Sequence, residues 1–221
     1  MKIGDDLGTE VKICGINSID ALNAAQAASA DYLGFVFFPK SPRHINIDQA
    51  SSLVRQVKPG IKKVALLVNA SNDEIQQILA RVPLDILQLH GGEPLERVAE
   101  IKRTFGLEVM KVIKISDEKD FENITPFEEV ADRLLFDAKP PKGMKNALPG
   151  GNAVSFDWRL LNGKSWNRPW MLAGGLTTDN IQEAIKISGA PAVDVSSGVE
   201  DRPGLKSTEK ISLFTSRAKA C

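Results

Sequence analysis

Six short apolar runs in this 221-residue chain end in reactive side chains or in glycine. The earlier ones close in Lys12-Ile13-Cys14-Gly15, in Phe37-Phe38-Pro39-Lys40-Ser41-Pro42-Arg43 and in Gln88-Leu89-His90-Gly91-Gly92-Glu93. The later ones close in Phe136-Asp137-Ala138-Lys139, in Ala173-Gly174-Gly175-Leu176 and in Asp194-Val195-Ser196-Ser197-Gly198. A free thiol such as Cys14 is commonly a small buried hydrophobe. At a strand end, before a glycine, it is also a candidate base or nucleophile, provided positive charge lowers its pKa. Asp137 ends the apolar Leu134-Leu135-Phe136. It is either the partner of a backbone or lysine group or a general acid/base. Arg43 and His90 carry the same two readings, solvated or loop-bound on one side and functional on the other. Gly174, Gly175, Ser197 and Gly198 let backbone amides approach an anion closely. Glycines also simply make turns, but their pairing in the last two runs favours a phosphate site.

These residues need elements to position them. Strands are expected at 11–14, 32–37, 63–68, 86–89, 108–113, 133–136, 170–172 and 192–195, short and rich in Val, Ile, Leu and Phe. Helical patterns fall between them at 20–30, 47–57, 72–80, 94–104, 117–121, 157–161, 177–188 and 208–218, the fifth weak and the sixth short. Ser18 and Ser71 are expected caps, and Gly189 a stop. Strict strand–helix alternation argues for a parallel sheet. Eight units point to an α/β fold, a single (β/α)8 TIM barrel over residues 1–221, with the active site at the C-terminal ends of the strands. A doubly wound open sheet is the alternative. The longest Gly- and Pro-rich stretch, 138–152, follows strand six, where an active-site loop belongs.

Composition narrows the chemistry. Hydrophobic residues make up 43% and charged residues 25%, which excludes a disordered chain. Lys plus Arg and Asp plus Glu are 28 each, so a broad cationic face for nucleic acid is not expected. Cys14 and Cys221 cannot make a disulfide scaffold and fit a reducing, cytoplasmic setting. No stretch reaches the roughly 18 apolar residues of a membrane span, and the N-terminus lacks a signal peptide's apolar run. With two histidines, His44 and His90, and no CxxC pair, no metal site is expected. With no Walker loop, dinucleotide fingerprint or GxSxG elbow, no cofactor is expected either. Acid/base chemistry on a phosphorylated small molecule remains.

Taken in order, several motifs resemble those of the phosphoribosylanthranilate isomerase family of tryptophan biosynthesis. They are Lys12-Ile13-Cys14-Gly15-Ile16, Leu33 to Phe38 with Lys40-Ser41-Pro42-Arg43, Leu89-His90-Gly91, Leu135-Phe136-Asp137-Ala138, Phe156-Asp157-Trp158, Leu172-Ala173-Gly174-Gly175-Leu176 and Val193 to Glu200. The similarity spans about residues 10 to 217. It implies a metal- and cofactor-free Amadori rearrangement of N-(5-phospho-β-D-ribosyl)anthranilate. Cys14 would be the general base and Asp137 the general acid, with burial keeping Asp137 protonated. Arg43 would contact the anthranilate carboxylate. Gly151, Gly174, Gly175, Ser197 and Gly198 would hold the phosphate, with Asp194 and Ser196 as further substrate contacts. A monomer is expected, with a dimer as the alternative. Two positions depart from the family pattern: Gly92 replaces the aspartate of His-Gly-Asp-Glu, and Asn152-Ala153 replaces the end of Gly-Gly-Thr-Gly. The competing readings are another phosphosugar barrel, an inactive phosphoribosyl-binding module and a thiol redox protein.

Overall fold

The computed structural model describes residues 8–141, 143, 149–151 and 154–221. Eight parallel strands close into one barrel in chain order. They are β1 Glu10–Cys14, β2 Tyr32–Val36, β3 Lys62–Leu67, β4 Ile86–Leu89, β5 Glu108–Ile115, β6 Arg133–Ala138, β7 Trp170–Leu172 and β8 Ala192–Val195. The helices are α1 Ile19–Ala27, α2 Ile47–Val54, α3 Asn72–Leu79, α4 Leu95–Phe105, α5 Thr125–Val130, α6 Ile181–Ser188 and α7 Thr208–Lys219. A two-stranded hairpin, β9 Glu200–Arg202 and β10 Leu205–Lys206, follows β8. No helix of the described residues is long and apolar enough to cross a membrane.

The helix starts follow local chemistry. Ser18 accepts from the Ala21 amide, while Asn46 and Ser71 form reciprocal capping boxes with Gln49 and Glu74. Gly106 and Gly189 end α4 and α6 in the left-handed conformation. Unit five departs from expectation. Its first segment is a 3-10 turn, Glu118–Phe121, and the helix proper is α5, which begins Thr-Pro and is only 6 residues long. Unit six has no α-helix among the described residues, only a 3-10 turn at Trp158–Leu161. Trp166 and Trp170 cover β6 instead, packing on Phe136 with ring centroids 4.5 and 5.6 Å away.

Side chains alternate along each strand, and the barrel divides them into two cores. The outward set packs under the helices and includes Val11, Ile13, Leu134, Phe136, Val193 and Val195. The inward set is a small separate cluster at the bottom of the barrel: Tyr32, Val64, Ile86, Met110, Val112, Leu135, Met171, Ala173 and Ala192. The inward positions two residues further along include Gly34, Leu66, Gln88, Lys114, Asp137 and Asp194. Lys12 and Cys14 are the inward positions of β1. The interior therefore changes from apolar to ionisable towards the C-terminal ends of the strands.

Phe136 is fully buried at the centre of the aromatic group that stands in for the missing helix. Phe136→Ala is expected to lower unfolding free energy by about 3–5 kcal/mol. Urea denaturation should show this as a lower midpoint at unchanged slope. A midpoint equal to wild type would show that the aromatic group does not support the barrel wall.

Candidate active site

A cavity opens at the C-terminal ends of the strands. Cys14, Arg43, His90, Asp137, Gly151, Gly174, Gly175, Asp194, Ser196 and Ser197 all line it. Of the residues singled out in the sequence for this site, only Gly198 is not on its wall.

One side is built by β1 and β8. Their register sets Lys12 beside Asp194, and Lys12 Nζ donates to Asp194 Oδ1 at 2.8 Å with no solvent exposure. Cys14 Sγ stands over the same ammonium. A Cβ added at Gly34, the register partner of Cys14 on β2, would lie 2.8 Å from Sγ and 3.1 Å from Lys12 Nζ. A glycine is needed there to give the pair its space. Burial pushes the Cys14 thiol up, against the pull of the Lys12 and Lys206 ammonium groups. Burial would depress Lys12, but Asp194 and Cys14 outweigh it and raise its pKa. Ser196 Oγ donates to the Cys14 carbonyl at 3.1 Å, fixing the loop after β8 against the end of β1.

The opposite side is built by β4, β5 and β6. Lys114 and Asp137 are register partners, and Lys114 Nζ donates to Asp137 Oδ2 at 2.5 Å. His90 Nε2 lies 3.1 Å from the same oxygen. The Ala138 amide donates to Asp137 Oδ1 at 2.9 Å. Here the structure overturns the expectation that burial keeps Asp137 protonated. Burial alone would raise its pKa, but the His90 contact and the Lys114 charge outweigh it and hold the carboxyl at about 2. His90 is pushed down by burial and by Lys114, so its ring is neutral. Loop four is held by Glu93, which accepts from the Asn69 and Gly91 amides and from Lys111. At Gly92 the backbone amide donates to Asn69 Oδ1, so this turn closes without the family's aspartate. The other departure, Asn152-Ala153, lies outside the described residues.

Arg43 is not a solvated surface residue. It is 5% exposed, and its Nε and Nη2 donate to the two Glu200 oxygens at 2.8 Å each. Lys206 also donates to Glu200, at 2.8 Å. Both Glu200 and Lys206 belong to the β9–β10 hairpin, which packs on the turn before Arg43: a Cβ at Gly204 would lie 2.3 Å from the Pro42 carbonyl oxygen. The guanidinium reaches across to loop six, where a Cβ at Gly151 would stand 2.5 Å from Nη1.

The remaining wall presents backbone. Gly174 and Gly175 have φ of 89° and 63°, which other residues rarely adopt. A Cβ at Gly198 would lie 1.9 Å from the Leu176 carbonyl oxygen, so the loops after β7 and β8 touch through glycine. Among the described residues, the amides of Gly174, Gly175, Ser197 and Gly198 donate to no protein acceptor. Small residues with unused N–H groups beside a cavity make an anion cradle.

Sequence reasoning missed Lys12, Lys114, Glu200 and Lys206 as parts of the site. The strand-five reading stops at 113, one residue short of Lys114. Lys12 carries a usable signal, because its side chain must share the barrel interior with Cys14 at i+2. Glu200 and Lys206 carry none, since the hairpin that presents them has no alternating apolar pattern.

A family model described as N-(5'phosphoribosyl)anthranilate (PRA) isomerase matches residues 11–217. The N-(5'-phosphoribosyl)anthranilate isomerase of Cereibacter sphaeroides is 52% identical over 96% of this chain and 99% of its own length. Among solved structures, phosphoribosyl anthranilate isomerase from Thermotoga maritima has a TM-score of 0.85 at 34% identity, covering 96% of this chain and 100% of that one. A phosphoribosyl anthranilate isomerase in complex with reduced 1-(o-carboxyphenylamino)-1-deoxyribulose 5-phosphate has a TM-score of 0.81 at 32% identity, with 96% and 100% coverage. Matched in sequence over nearly its whole length and in barrel architecture, the chain belongs to the N-(5'-phosphoribosyl)anthranilate isomerase family.

Proposed function

We propose that Asp137 and Cys14 are the acid and base of the isomerisation, acting from opposite sides of one cavity. The activity is the N-(5'-phosphoribosyl)anthranilate isomerisation of tryptophan biosynthesis. Asp137 donates a proton to the ribose ring oxygen. The C1′–O bond breaks, its electron pair goes to oxygen, and the anthranilate nitrogen forms an iminium. The iminium makes the C2′ proton acidic, and the Cys14 thiolate removes it. The enolamine then becomes the ketone, 1-(2-carboxyphenylamino)-1-deoxyribulose 5-phosphate. Proton transfers suffice, so no cofactor is required. The observation that carries this reading is the placement of Cys14 and Asp137 on facing strands of the same cavity wall.

The electrostatics support it. The Cys14 thiol must ionise against its burial, and the Lys12 ammonium stabilises the thiolate. The developing iminium adds a second positive charge next to it. The amides of Gly174, Gly175, Ser197 and Gly198, with Gly151 and Ser196 alongside, are the phosphate cradle. Asp194 acts through Lys12. Arg43 takes the anthranilate carboxylate. Glu200 occupies Nε and one Nη2 proton, which leaves Nη1 and the other Nη2 proton as a second edge for bidentate binding. A relative solved with a phosphorylated product analogue supports this substrate class.

The expected monomer, with a dimer as the alternative, stays a proposal, and residues 1–221 are read as one catalytic domain with its site at the C-terminal ends of the strands. The reducing conditions that a working Cys14 thiol needs fit the cytoplasm.

Freshly made phosphoribosylanthranilate, followed by loss of anthranilate fluorescence, provides the assay. Cys14→Ala and Asp137→Asn are each expected to lower kcat by roughly 10²–10⁴-fold. Full activity in either would refute its assigned role. Arg43→Ala is expected to raise KM by about 1.5–3 kcal/mol of lost binding, a tenfold to hundredfold change, with a smaller effect on kcat. Lys206 keeps Glu200 paired in that variant, so it should fold. An unchanged KM would remove Arg43 from the carboxylate site.

A further inference from the structure

Asp137 poses a problem of proton supply. The group assigned to donate a proton is a carboxylate at rest, and the group assigned to accept one is a thiol. The proton nearest the acid must therefore be located.

Lys114 Nζ faces three acceptors: Asp137 Oδ2 at 2.5 Å, His90 Nε2 at 2.9 Å and the loop-six carbonyl of Pro149. An ammonium has three protons, and this arrangement uses all of them. The His90 contact requires a lone pair on Nε2, so the neutral ring carries its proton on Nδ1. That N–H needs an acceptor. Gln88 lies 3.0 Å from Nδ1, and its Oε1 is a buried polar atom with no partner. With the Gln88 amide turned so that Oε1 faces the ring, the orphaned oxygen accepts Nδ1–H. One assignment then satisfies Gln88, His90 and Lys114 together. In the other tautomer Nε2–H would donate to Asp137 Oδ2 at 3.1 Å, but it would also point at the Lys114 ammonium 2.9 Å away and Gln88 Oε1 would stay unpaired, at the cost of a buried polar group. The proton beside Asp137 is thus on Lys114. Gly150 completes the enclosure: a Cβ there would lie 2.6 Å from His90 Nε2 and 3.4 Å from Asp137 Oδ2.

We infer that Lys114 is the positioning residue that loads the acid, passing the proton that Asp137 delivers to the ring oxygen, with Gln88 and His90 fixing the geometry. This rests on the reading of Asp137 as acid and Cys14 as base. In the loading step the Lys114 N–H bond breaks and an Asp137 O–H bond forms, leaving a neutral amine. Asp137 then gives that proton to the ring oxygen. Cys14 thiolate takes the C2′ proton. In the closing step the enol hydroxyl proton returns through Asp137 to Lys114, and C1′ takes the proton held by Cys14. The site is restored and no proton is gained or lost.

The inference predicts the shape of a pH profile. The active state holds the Cys14 thiolate, the Asp137 carboxylate and the Lys114 ammonium, one proton fewer than the resting site. Log kcat at saturating substrate should therefore rise with pH as the thiol ionises. If the acid were instead loaded from the Cys14 thiol, the active and resting states would hold the same number of protons. The profile would then be flat through neutrality and only fall at high pH. Among the described residues, the charged or titratable groups that act on the cluster are His90 from β4, Lys111 on β5, Asp137 from β6, and Asp194 across the barrel.

The experiment measures kcat between about pH 6 and 10 for wild type, Lys114→Met, Lys114→Arg and Asp137→Asn. Lys114→Met should lose on the order of a hundredfold in kcat and lose the rising limb. Lys114→Arg keeps the charge and the contacts but does not give up its proton, so it should fail to restore kcat while KM and circular dichroism stay normal. Restoration by arginine overturns the inference, since charge alone would suffice. A uniform loss at every pH, with the rising limb kept, also overturns it. If Asp137→Asn is fully active, the underlying acid assignment fails. If Asp137→Asn is inactive while Lys114→Met matches wild type, only the role of Lys114 fails.

Discussion

A lysine ammonium inside a barrel cannot be left alone. Lys12 has no solvent exposure, and among the described residues its only carboxylate partner is Asp194, on the neighbouring strand that closes the sheet. Removing one member of such a buried pair costs about 3–5 kcal/mol, because the other is stranded without water. The pair therefore ties β1 to β8 in a register that sets Lys12 opposite Asp194. That register also decides where Cys14 lies. Being two residues after Lys12 on the same face, it reaches the cavity just above the ammonium. Cys14 is thus positioned by the interaction that closes the barrel.

The same logic runs around the interior. Lys114 is paired with Asp137 across β5 and β6, and Glu200 is shared between Arg43 and Lys206. Each charge facing the cavity from the described chain has a counter-charge within hydrogen-bond reach. This keeps the field local and sets the resting protonation. Asp137 is held ionised by its cationic neighbour, whereas Cys14 is held protonated because burial outweighs its own. The two sides of the cavity thus rest in the opposite protonation states to those the first proton transfers need, and an ammonium with three acceptors is the group that can bridge the difference.

The period-two alternation explains what was legible in the sequence. Cys14, Asp137 and Asp194 each follow apolar residues at the end of a run, so chain order alone brought them to one end of the barrel. The glycines after β7 and β8 were legible for the same reason. The protonation of Asp137 was not, because the groups that set it, His90 after β4 and Lys114 on β5, come from other strands, and register between strands is not written in the chain order. Helix five was misplaced because Thr125-Pro126 starts a helix too short to show periodicity, while the capped turn at Asp117 imitates a helix start. Arg43 was read as a carboxylate contact without Glu200, whose approach depends on a hairpin fold-back across residues 200–206.

That fold-back bears on the zero net charge of the chain. A substrate carrying phosphate and carboxylate would ordinarily favour a basic cavity, and long-range attraction would then draw in other anions as well. Here Glu200 cancels much of the Arg43 charge beyond the contact distance, yet leaves one edge of the guanidinium facing the cavity. The unpaired amides near Gly174 and Ser197 add no net charge at all. On the proposed reading, anion binding in this site is therefore short-ranged and geometric. It rewards a ligand whose two anionic ends match the span between Arg43 and the glycine loops, and it gives a small anion at only one end little reason to stay.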